Sequence, residues 1–349
     1  MTDRPFDPNA PAAAGAGLFG LPHTRGDAAV QCLPVPWEAT TSYGAGTAGG
    51  PAAILRASWQ VDLFDLEVER PYEAGIVMLP ASPEVSAWNA EARPLARQVI
   101  ELGGAIGETP ALHDALAHVN ELSARLNAYV QAETATILDE GRIPGIVGGD
   151  HSTPFGAIRA AADRYPGLGL LQIDAHMDLR EAYEGFTWSH ASITRNVVDA
   201  VPGVTSVVQV GIRDFCEEEV ECVAEHGSRI QVWYDQAMAA RRFRGDTWDA
   251  LVTEIIAPLP REVWITFDID GLDPKLCPGT GTPVPGGLEF AEAVHLIAAV
   301  ARSGRRIVGF DLNEVAPGED EWDANVGARM LYKLCAWALA SQGRARERG

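Results

Sequence analysis

Three short apolar segments of this sequence stop at acidic and imidazole side chains. "PGIVGGDHS" ends in Asp150 and His151, "LGLLQIDAHMD" in Asp174, His176 and Asp178, and "VWITFDIDGLDP" in Asp268 and Asp270. In an extended chain alternate residues share a side, so Asp174, His176 and Asp178 face one way, and Asp268 joins Asp270. Carboxylates gathered at apolar strand ends are costly to bury without a compensating charge. Divalent cations supply that charge. Four aspartates and two histidines exceed what one tetrahedral ion needs and suit two ions that share bridging carboxylates. The set is rich in oxygen and lacks sulfur, which favours manganese over zinc and leaves nickel or cobalt possible.

Such residues need elements that bring them to one edge. Short apolar runs recur at Ala28–Leu33, Ala74–Leu79, Ile143–Val147, Leu168–Ile173, Val207–Ile212, Arg229–Trp233, Val263–Phe267 and Arg306–Asp311. Runs of this length, bounded by Gly, Pro or Asp, fit strands buried on both faces of a parallel sheet. Helical patterns at Gly50–Ser58, Pro83–Leu102, Leu112–Glu140, Phe155–Tyr165, Glu217–His226, Thr247–Ile256, Phe290–Ser303 and Glu321–Ala340 lie between and around them. The alternation predicts an α/β fold. Residues 1–26, rich in Ala, Pro and Gly, read as a mobile tail outside the core, and 344–349 as a short C-terminal tail. No linker or composition break divides 27–343, so these residues are expected to form a single domain. In open parallel sheets ligands bind beyond the carboxyl ends of the strands, where the acidic clusters fall.

Composition narrows the partners. A formal net charge of −21 opposes phosphate backbones and anionic lipid, so neither nucleic acid nor membrane is expected as a partner. A small cation suits it better. The five cysteines are scattered and lack CxxC spacing, which argues against a disulfide framework or a zinc knuckle and for a reducing compartment. The N-terminus lacks the basic start and apolar stretch of a signal peptide, and no apolar run reaches a membrane span. The cytoplasm is the expected location.

Taken in order, the motifs resemble those of the ureohydrolases, the arginase and agmatinase family. The matching segments are "GGDHS" (148–152), "DAHMD" (174–178), "SHAS" (189–192), "DIDGLDP" (268–274), "PGTGTPVPGGL" (278–288) and "DLNEVAP" (311–317). The stretch 35–58 is similar to the agmatinase-like start of the fold, and the resemblance runs over roughly 28–340. It implies a three-layer α/β/α architecture with a mainly parallel sheet, a two-manganese centre, and a homo-oligomer, commonly a trimer or hexamer. By motif, His151 and Asp178 would be terminal ligands of one ion, His176 and Asp270 of the other, with Asp174 and Asp268 bridging. The implied reaction is hydrolysis: water activated by the two ions attacks a guanidinium carbon, releasing urea and an amine. Glu314 matches the position that holds the guanidinium, and His190 the histidine that shuttles protons. Asp178, His190 and Glu314 are therefore the expected catalytic residues.

The loop "LREAYEGFTWS" (179–189) should read the far end of the substrate. Glu181 and Glu184 are acidic, and Tyr183, Phe186 and Trp188 are aromatic, which suits an aliphatic chain ending in ammonium. Agmatine, hydrolysed to putrescine and urea, is the first expectation, with Glu314, Glu181, Glu184 and Trp188 as substrate contacts. Arginine, 4-guanidinobutyrate through Arg180, or free guanidine are alternatives. So are a single-zinc deacetylase and a catalytically silent homologue serving as an assembly subunit. The long helical stretch 83–140 exceeds the compact family pattern and has no assigned role.

Overall fold

The computed structural model describes residues 6–13 and 15–348. Among these, ten strands follow in chain order: β1 (Val30–Val35), β2 (Val68–Glu69), β3 (Ile76–Met78), β4 (Ile143–Gly148), β5 (Leu168–Ile173), β6 (Val204–Ile212), β7 (Ile230–Tyr234), β8 (Glu262–Asp268), β9 (Arg306–Asn313) and β10 (Arg346–Glu347). Eight form one sheet in the order β3-β1-β4-β9-β8-β5-β6-β7, with every neighbouring pair parallel. The eight apolar runs are these eight strands. β4 and β5 are buried along their whole length, as a parallel sheet covered on both faces requires.

Ten α-helices cover the sheet: α1 (Gly50–Ala57), α2 (Pro83–Ile100), α3 (Pro110–Asp139), α4 (Phe155–Arg164), α5 (Ile193–Ala200), α6 (Glu217–His226), α7 (Asp235–Phe243), α8 (Trp248–Ile256), α9 (Phe290–Arg302) and α10 (Trp322–Ser341). α1, α8, α9 and α10 pack into one apolar core, and α2 to α6 into a second. The architecture is therefore three layers, α/β/α. α9 shows how a helix joins its layer. Ala293, Leu296, Ile297 and Val300 are buried at helical spacing, and a capping box between Glu289 and Glu292 closes the first turn. No helix among the described residues is long and apolar enough to cross a membrane.

Three features depart from expectation. α5 and α7 fall outside the expected helices: α5 buries Ile193, Val197 and Val198 at helical spacing but over only eight residues, while α7 buries Met238 alone, so periodicity could not announce the second. Leu18, Phe19 and Leu21 are buried in the first core, where Phe19 meets the Tyr332 ring edge-on at 4.9 Å. The segment expected to stay outside the core thus contributes to it, because burying these side chains offsets the entropy of ordering a short stretch. β10 pairs antiparallel with β2, so the C-terminal tail is docked. Residues 1–5, 14 and 349, also assigned to tails, lie outside the described residues.

Candidate functional site

The sheet brings distant parts of the chain to one edge. β4, β9, β8 and β5 are consecutive neighbours, so their carboxyl ends span about 14 Å at ordinary strand spacing. Beyond those ends lie Asp150 and His151, then Glu314, then Asp268 and Asp270, then Asp174, His176 and Asp178. Each is nearly or fully buried except His176, which is half-buried.

His151 Nδ1 lies 2.9 Å from Asp174 Oδ2, 3.2 Å from Asp178 Oδ2 and 3.3 Å from Asp268 Oδ2. His176 Nδ1 lies 3.2 Å from Asp270 Oδ2 and 3.5 Å from Asp174 Oδ1. Two groups of donors, His151 with Asp174 and Asp178, and Asp174 with His176 and Asp270, could each hold a metal ion. Asp174 belongs to both. Asp268 lies outside these two groups but close to His151.

Backbone amides aim the carboxylates. Asp174 Oδ1 accepts from His176 N, Asp268 Oδ1 from Asp270 N, and Asp270 Oδ1 from Ala175 N. Asp178 stands at φ 55° and Glu314 at φ 65°, left-handed conformations that non-glycine residues adopt at a cost and that cluster at functional sites.

The crowded carboxylates and imidazoles shift one another strongly. Burial depresses the His151 imidazole, but Asp174, Asp178 and Asp268 outweigh it and hold the ring well above its ordinary pKa. His176 is likewise pushed up to about 12, burial being overcome chiefly by Asp270 and Asp174. Burial and the neighbouring Asp174 push Asp178 up to about 7, and burial with Asp270 holds Asp268 well above the usual carboxylate range. His151 Nδ1, Asp178 Oδ2 and Asp270 Oδ2 are buried without hydrogen-bond partners. Three unpartnered atoms in a cluster of six His and Asp side chains fit a pair of divalent ions.

A cavity of about 180 Å³ opens over this cluster, with Ser42, Arg180, Tyr183, His190, Asp214, Phe215, Glu219, Thr282 and Glu314 in its wall. Glu314 Oε1 accepts from His151 N at 2.8 Å, and Oε2 is buried without a partner. Gly281 explains part of the "PGTGTPVPGG" motif, since a Cβ there would lie 2.7 Å from Glu314 Oε2. Burial first, then the positive His176 and His151, push His190 down to about 3, so its ring is neutral near pH 7.

Residues 28–336 match the arginase family model. The chain belongs to the arginase family. An N(1)-aminopropylagmatine ureohydrolase of Synechocystis is 31% identical over 90% of this chain and 91% of its own. An agmatinase of Bacillus anthracis is 32% identical over 83% and 84% respectively. The agmatine ureohydrolase structure from Thermoplasma volcanium shares the fold, with a TM-score of 0.72 at 21% identity, covering 95% of this chain and 97% of that one.

In this arginase-family chain the expected specificity loop is placed differently from its sequence reading. Trp188 stacks on Phe155 with ring centroids 4.8 Å apart and packs against the second core. Glu181 is exposed, and neither residue lines the cavity. Glu184, at φ 54°, turns into contact with the backbone at Gly104 and also misses the wall. A short hairpin bridge between Tyr183 and Phe186 causes this: it buries Phe186 and leaves Tyr183, with Arg180, at the opening. The acidic wall residues are instead Asp214 and Glu219, beyond β6.

A polar relay went unnoticed in the sequence. His151 Nε2 contacts Thr266 Oγ1 at 2.8 Å, and Thr266 Oγ1 donates to Asp311 Oδ1 at 2.8 Å. With Thr266 donating onward, Nε2 must carry a proton, which leaves the Nδ1 lone pair for a metal. Arg213 pins the turn after β8 by donating to the Asp270 and Leu272 carbonyls. Thr266→Val keeps the shape and removes the relay. Metal affinity is expected to fall about 10- to 100-fold with the fold retained, measured by chelator competition. Unchanged affinity would show that the relay does not orient His151.

Proposed function

We propose that the chain is a metal-dependent ureohydrolase that cleaves agmatine to urea and putrescine. The observation that carries this reading is the buried, unpartnered Glu314 Oε2 facing the cavity beside the His/Asp cluster. A planar guanidinium satisfies a carboxylate in both charge and geometry. The relatives named agmatinase and N(1)-aminopropylagmatine ureohydrolase support an amine-bearing substrate, and Asp214 gives the cavity an acidic group for it, Glu219 being held by the Leu179 and Cys216 amides.

His151 and Asp178 would hold one ion, His176 and Asp270 the other, with Asp174 and Asp268 between them. The oxygen-rich donor set favours manganese. When bound, two divalent ions lower the pKa of water and offset the carboxylate charge. Glu314 then holds the guanidinium NH₂ groups with the central carbon over the cluster. His190, neutral and in the cavity wall, can take a proton and return it to the departing amine. All five cysteines are unpaired, which supports a reducing compartment such as the cytoplasm.

One observation favours a second substrate. Arg180 lines the cavity and stacks over Tyr183 at 5.0 Å, with Glu219 no closer than 4.0 Å. A cation so placed would welcome a carboxylate tail, as in 4-guanidinobutyrate. Urea release should be compared across agmatine, N(1)-aminopropylagmatine, 4-guanidinobutyrate, arginine and guanidine, with manganese and with nickel. The highest kcat/KM is expected for agmatine, and Arg180→Ala should not reduce it. Preference for 4-guanidinobutyrate, lost in Arg180→Ala, would establish the second substrate, and no urea from any of them would overturn the hydrolase reading.

A further inference from the structure

The helical stretch 83–140 reaches the active site at two walls. On α2, Asn89 and Arg93 stand one helical turn apart and so share a face. Asn89 Oδ1 accepts from Glu38 N at 2.8 Å, and Arg93 Nη1 donates to the Ala39 and Thr41 carbonyls at 3.1 and 2.7 Å. The loop they grip continues into the cavity. Thr40 Oγ1 accepts from His190 N at 3.3 Å, Ser42 lines the wall, and Gly44 N donates to Gly281 O beside Glu314. Glu38 Oε2 closes the loop from within by accepting from Gly46 N and Ala48 N.

α3 holds the opposite wall. Asn120 donates to Gly185 O at 3.3 Å and accepts from Thr187 N at 3.0 Å, fixing the hairpin that carries Tyr183.

We propose that α2 is a positioning element for the reaction, with Arg93 the residue through which it sets the 38–44 loop and thereby the seating of His190 and the cavity wall. This rests on the hydrolase reading given above. Arg93 is not among the residues that line the cavity. Its single Nη1 bridges the Ala39 and Thr41 carbonyls, which accept from no other side chain among the described residues. The loop's shape therefore depends on a side chain from outside the metal-bearing strands.

The test compares Arg93→Ala, Arg93→Lys and, as a control on the same helix, Arg97→Ala. Arg97 is largely exposed and paired only with Glu101 one turn on. Arg93→Ala is expected to lower kcat/KM about 30-fold, as displaced groups near the chemistry do, while metal content per chain stays at the wild-type level. Arg93→Lys should recover at least a third of the loss on a logarithmic scale, and Arg97→Ala should match wild type. Hydrogen exchange at 38–46 should quicken in Arg93→Ala, a readout that needs no substrate. Unchanged exchange, wild-type kcat/KM, or metal loss parallel to activity loss in Arg93→Ala would overturn the proposal. Absence of urea release from wild type would instead strike the hydrolase reading and leave the exchange result to decide the role of Arg93.

Discussion

Asp174→Asn is expected to strip both metal ions and lower urea release at least about 1,000-fold. Asp174 alone is shared by the two donor groups, so its loss weakens both sites at once. Asn keeps the size of the side chain, and its amide oxygen can still accept from His176 N. What disappears is one negative charge and one anionic oxygen at the centre of the cluster. Removing a metal ligand commonly costs more than removing a supporting residue, which already costs about 10- to 100-fold in affinity or activity. Asp174 repels Asp178 and Asp268 but is itself held charged by His151 and His176, so circular dichroism of the variant checks that the fold persists. Asp270→Asn is the control: Asp270 belongs to one group, so one ion per chain should remain. Metal quantitation by mass spectrometry of the purified variants reads this directly. Two ions retained in Asp174→Asn would refute a shared centre.

That centre was legible in the sequence because its residues interrupt apolar runs at their carboxyl ends. A buried parallel strand announces itself by continuous hydrophobicity; a single Asp at its close can be only a cap, as Asp150 is for Ser152, and it is three such ends together that point to ligands. The same logic recovered the eight strands and the α/β class. The order β4-β9-β8-β5 was not readable, since strand adjacency depends on which crossover each helix takes. Without that order, Thr266 and Asp311 could not be joined. They are opposite partners in the β8–β9 register, yet in sequence they are isolated polar residues within apolar strands, separated by a helix and two loops.

The specificity loop failed for a different reason. Composition correctly marks "LREAYEGFTWS" as acidic and aromatic but says nothing of direction. Its conformation is imposed by α3 through Asn120, and by Leu116 against Gly185, contacts nearly seventy residues away in sequence. Once the hairpin bridge forms, Phe186 and Trp188 are committed to packing and the wall falls to Arg180 and Tyr183. Asp214 and Glu219 follow β6, a strand end that carries no ligand cluster and so drew no attention.

Glu314→Gln is expected to lower kcat/KM about 100- to 1,000-fold while leaving both ions bound. Gln keeps the oxygen that accepts from His151 N, so the ligand beside it should not move. The change falls on Oε2, which is buried and has no partner within the protein. A carboxylate in that setting is unfavourable by itself: burial first, then Asp268 and Asp150, raise its pKa well above the ordinary value. A bound guanidinium offsets this, and removing one member of a buried charge pair costs about 3–5 kcal/mol, or roughly two to three and a half powers of ten in rate. Because burial and the neighbouring carboxylates disfavour an ionised Glu314 in the free protein, the neutral Glu314→Gln should melt at or above the wild-type temperature, the usual relation between a strained site and stability. Steady-state kinetics with metal content measured on the same samples separates the outcomes. Activity within tenfold of wild type would mean that the guanidinium is held elsewhere, and a lower melting temperature would mean that Glu314 supports the fold and not the substrate.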